Sequence, residues 1–191
     1  MVTRTDFNRY MMPTYKPAEF VPSKARGSWV WDKKNKKYID FASGIAVSSL
    51  GHCHPILNKA LVDQSKKIWH LSNLLTNEPA LRLAKIFCKH TFAEKVFFSN
   101  SGAEAVEGAI KTARKYAYTN INKKKNEIVS FSDAFHGRTM MTIALNGSDR
   151  FVEGFGPMPK GIKHHPYNEI KLSLIHISEP TRPRLISYAV F

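Results

Sequence analysis

Cysteine is scarce in this sequence, with only Cys53 and Cys88 among 191 residues and no CxxC pair. This scarcity argues against a disulfide framework and is typical of a reducing compartment, so we expect a cytoplasmic protein. The run His52-Cys53-His54 resembles a metal cluster. Adjacent side chains cannot easily converge on one tetrahedral ion, however, and no second ligand pair with zinc spacing follows. We therefore expect a loop here and no metal site.

Long apolar runs and acidic residues are also scarce. No apolar run reaches the length that spans a bilayer, and the N-terminus lacks the apolar region of a secretory signal, so we expect no membrane partner. The 29 Lys and Arg residues exceed the 15 Asp and Glu residues, which gives a formal net charge of +14. The lysines are scattered, and no motif that reads nucleic acid accompanies them. A solvated lysine-rich surface is favoured over a nucleic-acid partner.

The first half of the chain predicts an arm, a hairpin and two helices. The 43% of hydrophobic residues are enough for one domain with a sizeable core. Prolines punctuate residues 13–22 and predict an extended arm. Aromatic and β-branched runs at 28–32 and 38–41 predict a hairpin. Apolar residues recur at helical spacing over 55–68 and 78–90 and predict two helices.

The second half alternates between strand and helix patterns. Residues 95–98 predict a short buried strand, and residues 102–119 predict a helix. Residues 127–131 predict a second strand, after which residues 139–145 open another helix. This alternation predicts an α/β fold with a parallel sheet. Such a sheet binds ligands at the carboxyl ends of its strands.

The turn after the first predicted strand has the pattern of an anion site. Ser101 is placed to cap the following helix, and Glu104, three residues on, completes a capping box. Gly102 lets the backbone approach a ligand closely. The first helical amides lack internal partners and, with the helix dipole, suit a phosphate. A capped helix after a strand is common in α/β proteins and usually binds nothing, so the motif alone leaves both interpretations open.

The loop after the second predicted strand, residues 132–138, should open beside this turn. Phe135 offers a ring that could cover a planar cofactor, and Arg138 could bind a carboxylate with two hydrogen bonds. Each residue also has an ordinary interpretation. Phe135 could belong to the core, His136 could be a hydrogen-bonded structural histidine, and Arg138 could form a surface ion pair.

Several motifs in this order carry a family resemblance. They are LGHCHP at 50–55, KVFFSNSGAEA at 95–105 and AFHGRT at 134–139. From about residue 10 to residue 170 the sequence resembles the class III (ω-amino-acid type) aminotransferases of fold type I, which are α/β proteins. Within that class, the motifs SGIAV at 43–47 and TNEP at 76–79 are most similar to those of the acetylornithine/succinylornithine type.

The resemblance implies pyridoxal 5′-phosphate as the cofactor and assigns a role to each candidate site residue. Ser101, Gly102 and Ala103 would hold the cofactor phosphate, mostly through backbone amides. Phe135 would stack on the pyridine ring, and His136 would help to shape that wall. Arg138 would bind the α-carboxylate of the substrate. The 44–47 loop would lie near the substrate.

The resemblance also implies a reaction and an assembly. A homodimer would move the terminal amino group of N-acetylornithine or N-succinylornithine to 2-oxoglutarate, in arginine metabolism. Two alternatives stay open. One is a class III transaminase for ornithine, GABA or another ω-amino acid, and the other is a non-catalytic short paralogue.

The family pattern extends further than this sequence does. By resemblance, residues 1–75 form the N-terminal arm and a segment of the small domain. Residues 76–171 form the start of an incomplete, truncated large domain that binds the cofactor. The Schiff-base lysine of the family follows the FHGRT block, and no lysine here stands in its context. No catalytic residue is therefore assigned, and we expect an inactive N-terminal fragment.

The last residues have a different character. Residues 172–182 read as a codon-by-codon translation of a transposase sequencing adapter, and residues 186–191 read as the next adapter segment. Residues 183–185 fill a gap of index size between them. We expect residues 172–191 to be library-construction DNA read through in frame, and the alternative is a divergent native C-terminus.

Overall fold

The computed structural model describes residues 3–169 and divides the chain into two units between Pro79 and Ala80. The expected foreign tail, residues 172–191, lies outside the described residues. The assignment of domains by resemblance stays a prediction. Each unit has its own sheet, and the two units are described separately below.

The first unit contains three helical segments and a three-stranded antiparallel sheet of order β1-β2-β3. The segments are α1 (Arg4–Tyr10), β1 (Pro22–Arg26), β2 (Trp29–Asp32), β3 (Lys37–Ile39), α2 (Ser43–Ala46) and α3 (Pro55–Ser65). The β2–β3 pair confirms the predicted hairpin, with Trp29 opposite Ile39. Strand β1 was not predicted, because its residues PSKAR include no aromatic or β-branched side chain.

Asp32 shapes the hairpin turn. Its Oδ1 accepts hydrogen bonds from the amides of Lys34 at 2.8 Å and Lys36 at 2.9 Å, and Tyr38 donates to Oδ2 at 3.1 Å. Burial raises the pKa of Asp32, but the Lys36 amide, the Lys34 amide and the Tyr38 hydroxyl lower it further, so the net pKa lies below the ordinary value. The ionised carboxylate therefore serves as the acceptor that closes this turn.

The second unit alternates helices with two strands. After α4 (Glu78–His90) come α5 (Gly102–Asn120), β4 (Ile128–Phe131), α6 (Met140–Leu145), α7 (Asp149–Val152) and β5 (Ile162–His165). Strands β4 and β5 pair in parallel, from Ile128 opposite Ile162 to Phe131 opposite His165. The predicted α/β class is confirmed, and the parallel pair consists of β4 and β5 rather than of β4 and the strand predicted at 95–98. Strand β5, IKHH, was not predicted because two histidines follow its only β-branched residue.

The core of the second unit lies around α6. Ile143, Ala144 and Leu145 are buried there, together with Ile110 of α5, and Thr142 and Asn146 are fully buried. Arg114 of α5 reaches across to the two strands. Its side chain donates to the carbonyls of Asn126 and Lys160, each at 3.0 Å, just before β4 and β5 begin. One side chain thereby joins helix α5 to the segments that lead into β4 and β5.

Residues 95–98 were predicted as a buried strand, but they form no strand and their phenylalanines are exposed. They have no strand assignment, and Phe97 and Phe98 are 79% and 43% exposed. A strand exists only where its amides and carbonyls pair with a neighbour. Within residues 3–169, β4 pairs with β5 and no strand pairs with 95–98. The prediction of a buried strand was wrong, because the described residues provide no strand that pairs with this segment.

Candidate functional site

The turn before α5 has the cap that the sequence predicts. The Oγ of Ser101 accepts a hydrogen bond from the Glu104 amide at 3.2 Å, and Ser101 itself has an extended backbone with φ −152°. The return bond differs from the predicted box. The Glu104 Oε2 accepts from the amide of Asn100 at 2.6 Å rather than from that of Ser101. The glutamate therefore ties down the residue before the cap.

The N-terminal turn of α5 faces solvent. Ser101 and Gly102 are exposed and Ala103 is half-buried. The first amides of a helix have no partner within the helix, and the dipole of a helix of 19 residues adds positive potential at this end. The three residues predicted to hold a phosphate thus lie where a phosphate can reach the amide donors.

The loop over residues 132–138 lies directly against this turn. Gly137 is buried and has φ +130°, and a Cβ built on it would lie 2.8 Å from the Ala103 Cβ and 2.9 Å from the Thr142 Oγ1. A second tie joins the same elements, since the Thr139 hydroxyl donates to Glu107 Oε1 at 2.6 Å. The structure therefore brings together the two motifs that the sequence analysis singled out.

His136 is half-buried within this loop. Its Nε2 lies 3.2 Å from the Oγ of Ser130, whose own proton is donated to the carbonyl of Leu145 at 2.6 Å. Because a hydroxyl has one proton, Ser130 must accept from His136, so a neutral His136 carries its proton on Nε2. Burial lowers the pKa of His136 below the ordinary value and favours this neutral form.

The exposed side chains of Phe135 and Arg138 cluster with the half-buried ring of Phe151. The guanidinium carbon of Arg138 lies 5.4 Å from the Phe135 ring centroid and 5.3 Å from that of Phe151. The two rings meet edge to face with centroids 6.3 Å apart. Phe135 is 63% exposed, which excludes the core interpretation. Sequence reasoning missed Phe151, and a signal for it would have been an aromatic residue just after the Asn146-Gly147 turn.

The first unit holds a small cavity of about 210 Å³ beside the SGIAV loop. The Oδ2 of Asp40 lies 2.7 Å from His52 Nε2 in its wall, and Asp40 Oδ1 accepts from the Ser43 amide at 2.8 Å. The His52 hydrogen bond and then the Ser43 amide hold the pKa of Asp40 below its ordinary value. Asp40 therefore stays an acceptor for both groups around neutral pH.

The segment α2 that follows is a single left-handed turn. Ser43, Gly44, Ile45 and Ala46 all have positive φ, between 49° and 68°. Glycine adopts this region freely, whereas a β-branched residue such as Ile45 is strained in it. Strained backbone of this kind concentrates at functional sites, and the proximity of this loop to the substrate stays a prediction.

Within residues 3–169, no three His, Cys, Asp or Glu side chains are arranged to hold a metal ion. In the same residues, no helix combines the length and the apolar character needed to cross a bilayer.

Solved structures define the class of protein. An ornithine aminotransferase from Toxoplasma gondii superposes with a TM-score of 0.82 at 29% identity, over 92% of this chain and 42% of its own. An N-acetylornithine aminotransferase from Stenotrophomonas maltophilia superposes with a TM-score of 0.69 at 33% identity, over 90% of this chain and 40% of its own. The chain thus has the α/β fold of these aminotransferases over the part that superposes.

The sequence comparison gives the family. The model of the family described as aminotransferase class-III matches residues 10–181, and the chain belongs to that family. It is 54% identical over 170 residues to an acetylornithine/succinyldiaminopimelate aminotransferase of Buchnera aphidicola subsp. Acyrthosiphon pisum, covering 89% of this chain and 42% of that protein. It is 52% identical over 180 residues to a succinylornithine transaminase of Photorhabdus laumondii, covering 94% and 45%. The chain spans less than half the length of these curated relatives.

The family match extends into residues 172–181 of the segment that we expect to be foreign. The point at which family-like sequence ends therefore stays a prediction.

Proposed function

We propose that this chain supplies the phosphate-, ring- and carboxylate-binding residues of a pyridoxal-phosphate-dependent aminotransferase. The reaction is transfer of the terminal amino group of N-acetylornithine or N-succinylornithine to 2-oxoglutarate. The contact of Gly137 with Ala103 carries this proposal, because it sets the ring-bearing loop against the phosphate-type turn. The names of the relatives, acetylornithine and succinylornithine aminotransferases, support the substrate class.

The residues present fit the cofactor. Amides of Gly102 and Ala103, with the Ser101 cap, give a solvent-facing donor set at a helix N-terminus for its phosphate. The exposed ring of Phe135 offers an apolar face to the pyridine, and neutral His136 adds no charge to that wall. When bound, pyridoxal phosphate supplies an electron-accepting ring that makes transfer of an amino group possible. The protein residues bind and orient it.

Arg138 fits the role of carboxylate ligand. Its guanidinium is exposed and lies over the rings of Phe135 and Phe151. A guanidinium over an aromatic ring keeps N–H groups that can bind a carboxylate with two hydrogen bonds. The two rings therefore hold the arginine in place while its donors address a substrate.

Calorimetric titration of the 191-residue chain tests cofactor binding. Pyridoxamine 5′-phosphate is the suitable probe, because it carries no aldehyde that would react with surface lysines. Unphosphorylated pyridoxamine is its matched control. We expect the phosphorylated compound to bind at least tenfold more tightly, and inorganic phosphate to compete with it. Equal affinities, or no binding of either compound, would overturn the proposed phosphate site.

Saturation-transfer NMR tests the amino donor. Spectra of the chain with N-acetylornithine, N-succinylornithine and ornithine should show stronger transfer to the two acylated compounds. Ornithine is a second candidate, because an ornithine aminotransferase superposes with a TM-score of 0.82. Stronger transfer to ornithine than to the acylated compounds would favour that candidate. Substitution Arg138→Gln should weaken transfer from all three, since all carry the same α-carboxylate.

Turnover and assembly complete the proposal. With pyridoxal phosphate, N-acetylornithine and 2-oxoglutarate, we expect the chain to form no more glutamate than the cofactor alone, because no lysine here is assigned the Schiff-base role. Glutamate formation above that background would contradict this expectation. We further propose a homodimer in the cytoplasm for the whole protein. The low cysteine content supports the reducing compartment.

A further inference from the structure

Asn146 is a fully buried polar residue at the end of α6, with 0% of its surface exposed. We propose that Asn146 is a positioning residue that fixes the backbone of the 132–138 loop from behind and so sets the directions of Phe135 and Arg138. The functional part of this inference rests on the proposed function. Its structural part concerns the loop alone.

Both ends of the Asn146 amide bind the loop. Its Oδ1 accepts from the His136 backbone amide at 2.7 Å, and its Nδ2 donates to the Gly137 carbonyl at 3.4 Å. The backbone amide of Asn146 donates to the carbonyl of Ile143 at 3.1 Å, which fixes the residue at the end of α6. The next residue adds a contact as long as the Nδ2 bond, since the Gly147 carbonyl accepts from the Asp133 amide at 3.4 Å.

The residue type follows from these contacts. The loop presents one N–H and one C=O to the same side chain, so the partner must offer an acceptor and a donor side by side. Asparagine carries the two functions on separate atoms of one planar group, whereas a hydroxyl has a single oxygen, a carboxylate lacks the donor and an aliphatic chain lacks both. Removing a buried partner leaves the loop groups unsatisfied, which is costly in a water-excluded place.

The position of these contacts gives them a role beyond packing. They hold the two residues between Phe135 and Arg138, which are the proposed ring wall and carboxylate ligand. Gly137 has φ +130°, and glycine has no side chain to restrict its backbone. External hydrogen bonds must therefore select one conformation of this segment. Without them, Phe135 and Arg138 stay on the loop but lose a common orientation.

Amide hydrogen exchange of the whole chain tests the inference directly. In the native chain, the His136 amide should exchange far more slowly than an unstructured amide. Asn146→Ala should raise its exchange roughly tenfold while exchange in β4 and α5 stays near native. Asn146→Asp keeps the acceptor for His136 and should give a smaller local increase. Asn120→Ala is the matched control, because Asn120 makes a side-chain bond to Tyr116 at 3.1 Å on α5, outside the loop.

Ligand titration adds the functional readout. Affinity for pyridoxamine 5′-phosphate should fall about tenfold in Asn146→Ala and stay unchanged in Asn120→Ala. Faster exchange spread evenly over the second unit would show a merely structural residue and overturn the proposal. An unprotected His136 amide in the native chain would also overturn it, even if the alanine variant failed to fold. If the His136 amide is protected from exchange but the chain binds no ligand, the proposed function is wrong and the positioning of the loop by Asn146 is still supported.

Discussion

Gly137 is the residue where the two halves of the candidate site touch. Substitution Gly137→Ala would place a methyl 2.8 Å from the Ala103 Cβ at φ +130°, a backbone region that side chains rarely adopt. We expect the loop to move away from α5 and affinity for pyridoxamine 5′-phosphate to fall at least tenfold, as measured by calorimetry. Gly156→Ala is the control, because a Cβ there meets nothing within 4 Å. Equal losses in both variants would contradict this account.

His136 gives a prediction about pH. Burial lowers its pKa below the ordinary 6.5, so the folded chain takes up this proton less readily than the unfolded chain does. The associated stability is therefore complete above about pH 6.5 and is lost as pH falls toward the depressed folded pKa. NMR titration of the ring should give a midpoint below 6.5. A midpoint at or above that value would remove the argument for a neutral ring wall.

The residues of the site differ in how far the sequence could predict them. Ser101 was predictable because capping depends on local spacing, and its hydrogen bond to Glu104 is confirmed. The closeness of the two loops, seen at Gly137 and Ala103, was predicted from the rule that parallel strands end at one edge, although the strand predicted at 95–98 does not form in the described residues. Asn146 and Phe151 were not predictable, because their partners depend on how α6 and α7 fold back onto the loop. The roles assigned to the site residues stay predictions.

The left-handed turn α2 stores strain in an exposed place. Ile45 has φ 62° and ψ 61° and is 91% exposed, so its side chain gains little from burial. Left-handed backbone costs an L-residue roughly 1–2 kcal/mol, which exceeds the entropic cost of a glycine in the same place. We expect Ile45→Gly to leave stability unchanged or to raise it by up to about 1 kcal/mol in urea denaturation.

Val47 offers a matched control for this turn. It is also β-branched and largely exposed, but its φ of −88° is ordinary. Val47→Gly should therefore destabilise the chain by about 1 kcal/mol, through the conformational entropy of glycine. If Ile45→Gly destabilises as much as Val47→Gly, the backbone at Ile45 is not strained. A loss of donor binding in Ile45→Gly without loss of stability would connect the strain to function.

Elements were predictable where one segment carries its own pattern. Helix α4 matches its predicted bounds, and α5 ends one residue beyond the predicted helix, because apolar spacing and caps are local features. The predicted strand at 95–98 was wrong, and β1 and β5 were missed, because strand formation depends on a distant partner. The lysine and the two histidines of β5 become strand residues through pairing with β4. Strand pairing depends on two segments, so the sequence of one segment alone does not predict it.

The whole chain exposes many large apolar side chains. Leu74, Phe41 and Trp69 are 93%, 92% and 88% exposed, and parts of α3 and α4 also expose leucines and isoleucines. Exposed apolar patches drive association. We expect the chain to self-associate, with sedimentation coefficients that rise with concentration, and to bind a hydrophobic dye. A monodisperse monomer at every concentration, with cooperative thermal unfolding, would contradict this expectation.

The hydrogen bonds of the Arg114 side chain suggest an order in which the contacts of the second unit form during folding. It spans 46 sequence positions to Lys160 and only 12 to Asn126, so the two bonds close loops of very different length. The shorter loop has the smaller closure entropy and should form first, once α5 is helical. The guanidinium is then already anchored at the start of β4 when β5 arrives. The parallel pair is then completed when β5 binds to a guanidinium that already lies at the start of β4. A lysine at position 114 would bind fewer of these carbonyls, because it has one compact ammonium in place of a planar guanidinium.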